Sequence, residues 1–206
     1  VFVRSADEAA AAAAAIGGTV VLKAVGPTIL HKTEVGGVRA GLIGEASVRE
    51  AWNEMALRLG TMDQGGAMAG GLVQAMIGGG TEMLVGMTED PIFGPVMACA
   101  SGGILAELLH DADFRLHPLT GRDADEMIDG LRGAVLLKGH RGSPPADIAA
   151  LKDTLLRVSA LVTLCPEIQE LDINPLRVLT RGAHALDVRV RVGGAHPPAR
   201  TRRMIY

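Results

Sequence analysis

The sequence predicts an α+β chain, or a two-lobed α/β one, and three observations lead there. Short apolar β-branched runs recur in pairs around glycine-rich turns, the pattern of hairpins and antiparallel pairing. Segments with apolar residues at helical spacing lie between them without the regular strand–helix alternation of a doubly wound parallel sheet. A polar, glycine-rich stretch, Thr61 to Gly71, then interrupts the pattern and marks a lobe boundary, giving lobes over residues 1–71 and 72–206.

Taken in order, Ser5-Ala6-Asp7-Glu8 followed by alanines predicts a capped helix ending at Gly17-Gly18. Val20 to Val25 is a short buried strand, with Val38 to Ile43 as its hairpin partner and Ser47 to Leu59 as the next helix. Leu72 to Ile77 and Met83 to Met87 read as a second hairpin around Gly78-Gly79-Gly80-Thr81. Val96 to Ala98 is a further apolar segment, and Ser101-Gly102-Gly103 opens a helix through Leu109. Helices are expected over Asp123 to Leu131 and Ala146 to Val162, the latter with Ile148, Leu151, Leu155 and Leu156 on its core face. The last pair of strands, Ile168 to Leu179 and Ala183 to Val192, closes around Thr180-Arg181-Gly182.

Composition narrows the function classes. The 206 residues are 48% hydrophobic but only 2% aromatic, so the core must come from Ala, Val, Leu, Ile and Met. A formal net charge of −3 gives no general attraction to nucleic acid or to an anionic membrane, and partners of both kinds are excluded. The basic run Arg200 to Arg203 reads as a solvated terminus. Cys99 and Cys165 form no metal-type spacing and no disulfide framework, so a reducing cytoplasm is the expected location. The alanine run Ala9 to Ala15 is too short and too weakly apolar to span a bilayer.

Chemistry concentrates in two stretches. In Val20 to Val25 the alternation of a strand puts Val21, Lys23 and Val25 on one side and Val20, Leu22 and Ala24 on the other. A lysine on an apolar strand needs an anionic partner or a route to water. The loop beyond carries His31, Lys32 and Glu34 before Gly36-Gly37, a density of cations and glycines suited to closing over a phosphate. A plain hairpin with a surface lysine and a solvated loop accounts for the same residues. In the terminal hairpin, Asp172 and Asn174 share a face opposite Leu171 and Ile173, and the return strand alternates Asp187, Arg189 and Arg191 with apolar residues. Counting outward from a two-residue turn at Thr180-Arg181 sets Asn174 opposite Asp187, with Cβ atoms about 4.5–5.5 Å apart. An amide oxygen and a carboxylate so placed can share one hard cation, and Mg²⁺ suits such a pair. The alternative is a polar cross-strand pair on a wet sheet face.

Together these motifs resemble the ATP-grasp domain of ADP-forming (NDP-forming) acyl-CoA synthetases, relatives of the succinyl-CoA synthetase β subunit. The matching stretches are Val21-Leu22-Lys23, His31-Lys32-Thr33-Glu34-Val35-Gly36-Gly37-Val38, Val73 to Met76, Glu82 to Gly86, Asp90 to Val96, and Gly102-Gly103 with Glu107. Arg115 to Leu119, Gly139 to Gly142 with Asp147, Asp172 to Leu176, and Leu186-Asp187 complete them, in the expected order over nearly the whole chain. Ala100 departs from the family, which usually has a glycine before Ser101, and the family has a further segment upstream of Val1, so the first lobe is expected to be N-terminally incomplete.

The resemblance implies an ATP-grasp fold, two lobes closing on ATP or ADP with Mg²⁺. It assigns Lys23 and Lys32 to the nucleotide phosphates, Gln74 and the backbone of Ala75 and Met76 to the adenine edge, and Glu82 to the ribose hydroxyls. Arg141 is a further phosphate contact or an exposed loop arginine, and Asn174 and Asp187 are the metal ligands. His31 matches a phosphoryl carrier on a mobile loop, with Lys32 and the Gly36-Gly37 amides to offset charge and Gly26 and Gly36-Gly37 as hinges. His110, His117, His140 and His184 are left structural or surface roles. The implied reaction is acyl-CoA + ADP + phosphate ⇌ carboxylic acid + CoA + ATP. CoA and the acid would be bound by a partner, a CoA-binding domain or subunit, and an oligomer is expected. A regulatory or vestigial nucleotide-binding module of a multidomain acyltransferase is the alternative from another class. An ATP-dependent amide ligase of the same fold would give no reason for His31-Lys32.

Overall fold

A computed structural model describes residues 1–27, 29, 32–61, 68–103, 110–140 and 142–194. The chain divides into two compact units, Val1–Gly78 and Gly79–Tyr206.

In the first unit, β1 (Phe2–Val3), α1 (Ala6–Ile16), β2 (Thr19–Val25), β3 (Val38–Ile43), α2 (Gly44–Gly60) and β4 (Gly70–Ala75) follow in order. The strands form a four-stranded sheet ordered β1-β4-β2-β3, antiparallel at each pairing. Ser5 caps α1 by accepting the Glu8 amide at 3.1 Å, and Gly17 ends it at φ 73°. The alanines of α1 bring it close against α2, and both helices lie over the buried face of the sheet. That face holds Val20, Leu22, Ala24 and Val73, packed with Val48, Trp52, Met55 and Leu59 of α2. Glycine at 71 is what lets the indole approach, since a Cβ there would lie 2.6 Å from the Trp52 ring.

The second unit contains β5 (Thr81–Asp90), β6 (Gly94–Ser101), β7 (Ala112–Leu116), α3 (Gly121–Gly130), α4 (Ala134–Leu137), α5 (Ile148–Leu164), β8 (Ile168–Val178), β9 (Ala183–Ala185) and β10 (Val188–Val192). The six-stranded sheet runs β10-β8-β5-β6-β7, with β9 also paired to β8. One face carries α3, α4 and α5 over a core of Met83, Val85, Met87, Met97, Cys99, Leu171, Ile173, Leu176 and Val178. Burial pushes the Cys99 thiol up to about 12, with Asp113 and Asp111 adding, which removes it from nucleophilic chemistry. Thr120 starts α3 with a complete capping box to Asp123.

Two readings of the sequence are corrected. The strands on either side of the Gly78-Gly79-Gly80 run do not form a hairpin: β4 pairs with β1 and β2, β5 with β6 and β8. The run links the two units, which part after Gly78 rather than after Gly71, a position inside β4. The alternation read along β10 places its valines on one face, and Val188, Val190 and Val192 are exposed on this edge strand. β1, β7 and the short α4 were not anticipated, and the helix expected after Ser101-Gly102-Gly103 lies outside the described residues. No helix among the described residues is long and apolar enough to cross a membrane.

Candidate functional site

In the first unit the alternation read from β2 holds. Val20, Leu22 and Ala24 are buried, and Lys23 stands half-buried on the other face with Val21 and Val25. Lys23 pairs with Leu72 on β4 and Val38 on β3, while Val21 pairs with Gln74, so Lys23 and Gln74 occupy the same sheet face. The loop after β2 folds back on the strand: the Gly37 amide donates to the Lys32 carbonyl at 2.6 Å, and the Ala24 amide donates to the Gly37 carbonyl at 2.7 Å. The Gly36 amide donates to the Thr33 carbonyl at 3.1 Å. These glycine amides therefore serve the loop's own turn rather than a transferred phosphoryl group, which corrects one expectation. Gly36, at φ +72°, lies against the Arg58 guanidinium, where a Cβ would meet Cζ at 2.9 Å. His31 itself lies outside the described residues.

At the end of β4 the ladder decides which backbone groups can read a ligand. The Met76 amide donates to the Thr19 carbonyl at 2.9 Å, so that donor is engaged within the sheet. Alternation of an antiparallel ladder turns the Ala75 N–H and C=O toward the opposite edge of β4. Of the two backbones that the resemblance assigns to the adenine edge, that of Ala75 directs its groups away from the β2 ladder.

In the second unit the terminal hairpin keeps the register counted from its turn. Ile173 pairs with Val188 and Leu176 with Ala185. Between them the Asn174 amide donates to the Asp187 carbonyl at 3.1 Å, and the Leu186 amide to the Pro175 carbonyl at 3.0 Å. Asn174 and Asp187 are cross-strand neighbours, as predicted. Against β5, by contrast, the register slips between Met83 and Val85, so Asn174 and Pro175 together oppose Leu84. The bulge reverses the phase of β8: Leu171 and Ile173 are buried before it, Leu176 and Val178 after it. Asp172, Asn174 and Arg177 consequently share the face away from the helices. Burial lifts the Asp172 carboxyl above the usual carboxylate range; Arg189 opposes this, and Glu170 and Asp187 add to it.

Hard oxygen donors of the amide and carboxylate kind fit Mg²⁺, whose shell would be completed by waters and phosphate oxygens. Among the described residues no three His, Cys, Asp or Glu side chains gather into a metal cluster.

Glu82 has a partner that the sequence did not announce. β5 and β8 set it directly opposite Arg177, whose Nη2 donates to Glu82 Oε1 at 2.5 Å and whose Nη1 donates to the Gly79 carbonyl at 3.1 Å. Asp147, part of the matching motif, is structural: it caps α5 through the Ala150 amide at 3.0 Å and accepts the Gly182 amide at 2.8 Å. The Gly182 amide, then that of Ala150, holds its carboxyl below the ordinary range. Arg141 lies outside the described residues.

Two further polar clusters escaped the sequence reading. Buried Asp111 accepts the Ser101 hydroxyl at 2.5 Å and the Arg132 and Gly133 amides at 2.7 and 2.8 Å. Burial raises its pKa, but these donors outweigh burial and leave the carboxyl below its usual range. His117 is braced by α5, with Ser159 Oγ at 3.2 Å from Nδ1 and Thr163 Oγ1 at 3.2 Å from Nε2.

Antiparallel sheets with helices packed on one face make up each of the two units, the α+β class of architecture to which the chain's relatives also belong. The chain belongs to the ATP-grasp domain family, whose model matches residues 1–192. Among its relatives it is 42% identical over 190 residues to acetate–CoA ligase (ADP-forming) I of Archaeoglobus fulgidus, covering 92% of this chain and 28% of that one. It is 37% identical over 187 residues to the beta subunit of acetate–CoA ligase (ADP-forming) I of Pyrococcus furiosus, covering 91% and 81%. Acetyl-coenzyme A synthetase 1 of Ca. Korarchaeum cryptofilum, solved with coenzyme A, Ca-AMPCP and HgCl⁺, superposes with a TM-score of 0.89 at 36% identity, over 93% of this chain and 84% of that one. A Mg-AMPPCP complex of the same enzyme has its phosphohistidine segment pointing towards the nucleotide binding site; its TM-score is 0.77 at 37% identity, over 90% and 81%. The chain thus spans 28% of the length of the Archaeoglobus ligase that it matches.

Proposed function

We propose that this chain is the nucleotide-binding portion of an ADP-forming acyl-CoA ligase, acting in acyl-CoA + ADP + phosphate ⇌ carboxylic acid + CoA + ATP. The observation that carries the reading is the Asn174–Asp187 register on the open face of β8, found in a chain whose similarity to ADP-forming ligases runs over 92% of its length. Lys23 neutralises nucleotide phosphate charge from the half-buried face of β2, Lys32 assists from the loop, and Arg141 is a further phosphate contact. Gln74 and the backbone of Ala75 face the adenine, and Glu82 accepts from the ribose hydroxyls. Asn174 and Asp187 would hold Mg²⁺, which when bound supplies charge neutralisation between the terminal phosphates.

His31 is the phosphoryl carrier. Phosphate passes through an acyl phosphate and a histidine of the CoA-binding part to His31, whose P–N bond forms as the phosphorus–donor bond breaks; a β-phosphate oxygen of ADP then displaces the imidazole, forming the P–O bond of ATP as the P–N bond breaks. The acyl group and CoA are handled by a CoA-binding domain or subunit, as the beta-subunit relatives suggest. Incubating the chain with γ-labelled ATP and Mg²⁺ is expected to give acid-labile label that His31→Ala or chelation abolishes. Equal labelling of wild type and variant would remove the carrier role. A regulatory module would bind nucleotide and take no label at all.

A further inference from the structure

We propose that Arg177 is a positioning residue for nucleotide recognition, holding Glu82 so that one carboxylate oxygen is presented to a ribose hydroxyl. The inference rests on the reading of Glu82 as the ribose acceptor and adds to it the residue that makes the acceptor directional. Glu82 and Arg177 are register partners on adjacent strands, so their approach is built into the sheet. Arg177 Nη2 takes Oε1 at 2.5 Å, and its Nη1 takes the Gly79 carbonyl at 3.1 Å. The guanidinium is thereby fixed at two points, a task for the planar fork of arginine that a lysine ammonium cannot reproduce. Its Nε is buried and lacks a hydrogen-bond partner among the described residues, so these two Nη contacts orient the group.

The other oxygen, Oε2, looks toward Gly103. A Cβ at that glycine would sit 3.1 Å from Oε2, and the Gly102 amide clamps the Glu82 carbonyl at 2.8 Å. Backbone and Arg177 together therefore fix the glutamate, and the guanidinium takes Oε1 rather than Oε2. A carboxylate oxygen so held is a preorganised acceptor for a hydroxyl donor.

The test measures binding of MgADP, 2′-deoxy-ADP and 3′-deoxy-ADP to the full chain by titration calorimetry. Wild type is expected to favour ADP over at least one deoxy analogue by about tenfold, the value of one charge-assisted hydrogen bond. Arg177→Met should shrink that ratio to about twofold, Arg177→Lys should leave it between the two, and Glu82→Gln should abolish it with no further change in the double variant. If Glu82→Gln abolishes the preference while both Arg177 variants retain it in full, the positioning role is wrong and the ribose reading stands. If wild type shows no preference, or Glu82→Gln keeps it, the ribose reading itself fails. Should Arg177→Met fail to fold, as thermal unfolding would reveal, Arg177→Lys carries the comparison.

Discussion

His117 shows how a single side chain can be read only once its neighbours are known. Ser159 Oγ accepts the Leu119 amide at 2.9 Å and lies 3.2 Å from His117 Nδ1, a contact whose direction follows the imidazole tautomer. Burial lowers the His117 pKa. With the folded value below the ordinary one of about 6.5, the unfolded chain binds the extra proton first. Stability from this group is therefore complete above that value and is lost as pH falls through it. We expect the urea midpoint of the wild type to drop between pH 7.5 and 5.5, and His117→Asn to lose the histidine-dependent part of that drop. The sequence could assign His117 only a structural or surface role, because Ser159 and Thr163 are some forty positions away. Lys23 was the opposite case: alternation along β2 alone revealed its face.

Among the elements, legibility followed how local the deciding interaction was. The terminal hairpin could be registered from its own turn, and the Asn174–Asp187 pairing followed. The bulge opposite Leu84 could not be anticipated, because it exists only against β5, a strand nearly a hundred residues earlier. The false hairpin around Gly78 to Gly80 failed for the same reason: two strands flanking glycines look alike whether they pair together or each joins a different sheet. Gly71 illustrates the packing side of this dependence. Gly71→Ala would drive a Cβ to within 2.6 Å of the Trp52 ring and 3.0 Å of Leu22 Cδ1. We expect it to cost about 1–3 kcal/mol through overpacking, read as a lower urea midpoint by circular dichroism at unchanged slope.

For the molecule entire, the composition foretold a core without aromatic bulk, and among the described residues both cores are built from alanine, valine, leucine, isoleucine and methionine, with Cys99 beside them and Trp52 the one aromatic. Two-lobed architecture was legible; where the lobes part was not, since the polar stretch Thr61 to Gly71 looks more like a boundary than the glycine run after β4 does. Because each unit closes its own apolar cluster, we expect calorimetry of the chain to resolve two transitions. Nucleotide with Mg²⁺ should raise at least one of them. A single transition whose calorimetric and van't Hoff enthalpies agree would contradict independent units.

Trp52 lies under β4 in the first core and is the chain's single tryptophan. Its emission is a private gauge of residues 1–78, blind to the larger unit, while the helices and strands of both contribute to ellipticity. Spectroscopists who follow only the indole on heating would record half a melting curve and take it for the whole. Overlaid on an ellipticity trace, that same one-sidedness assigns each transition to its unit without cutting the polypeptide.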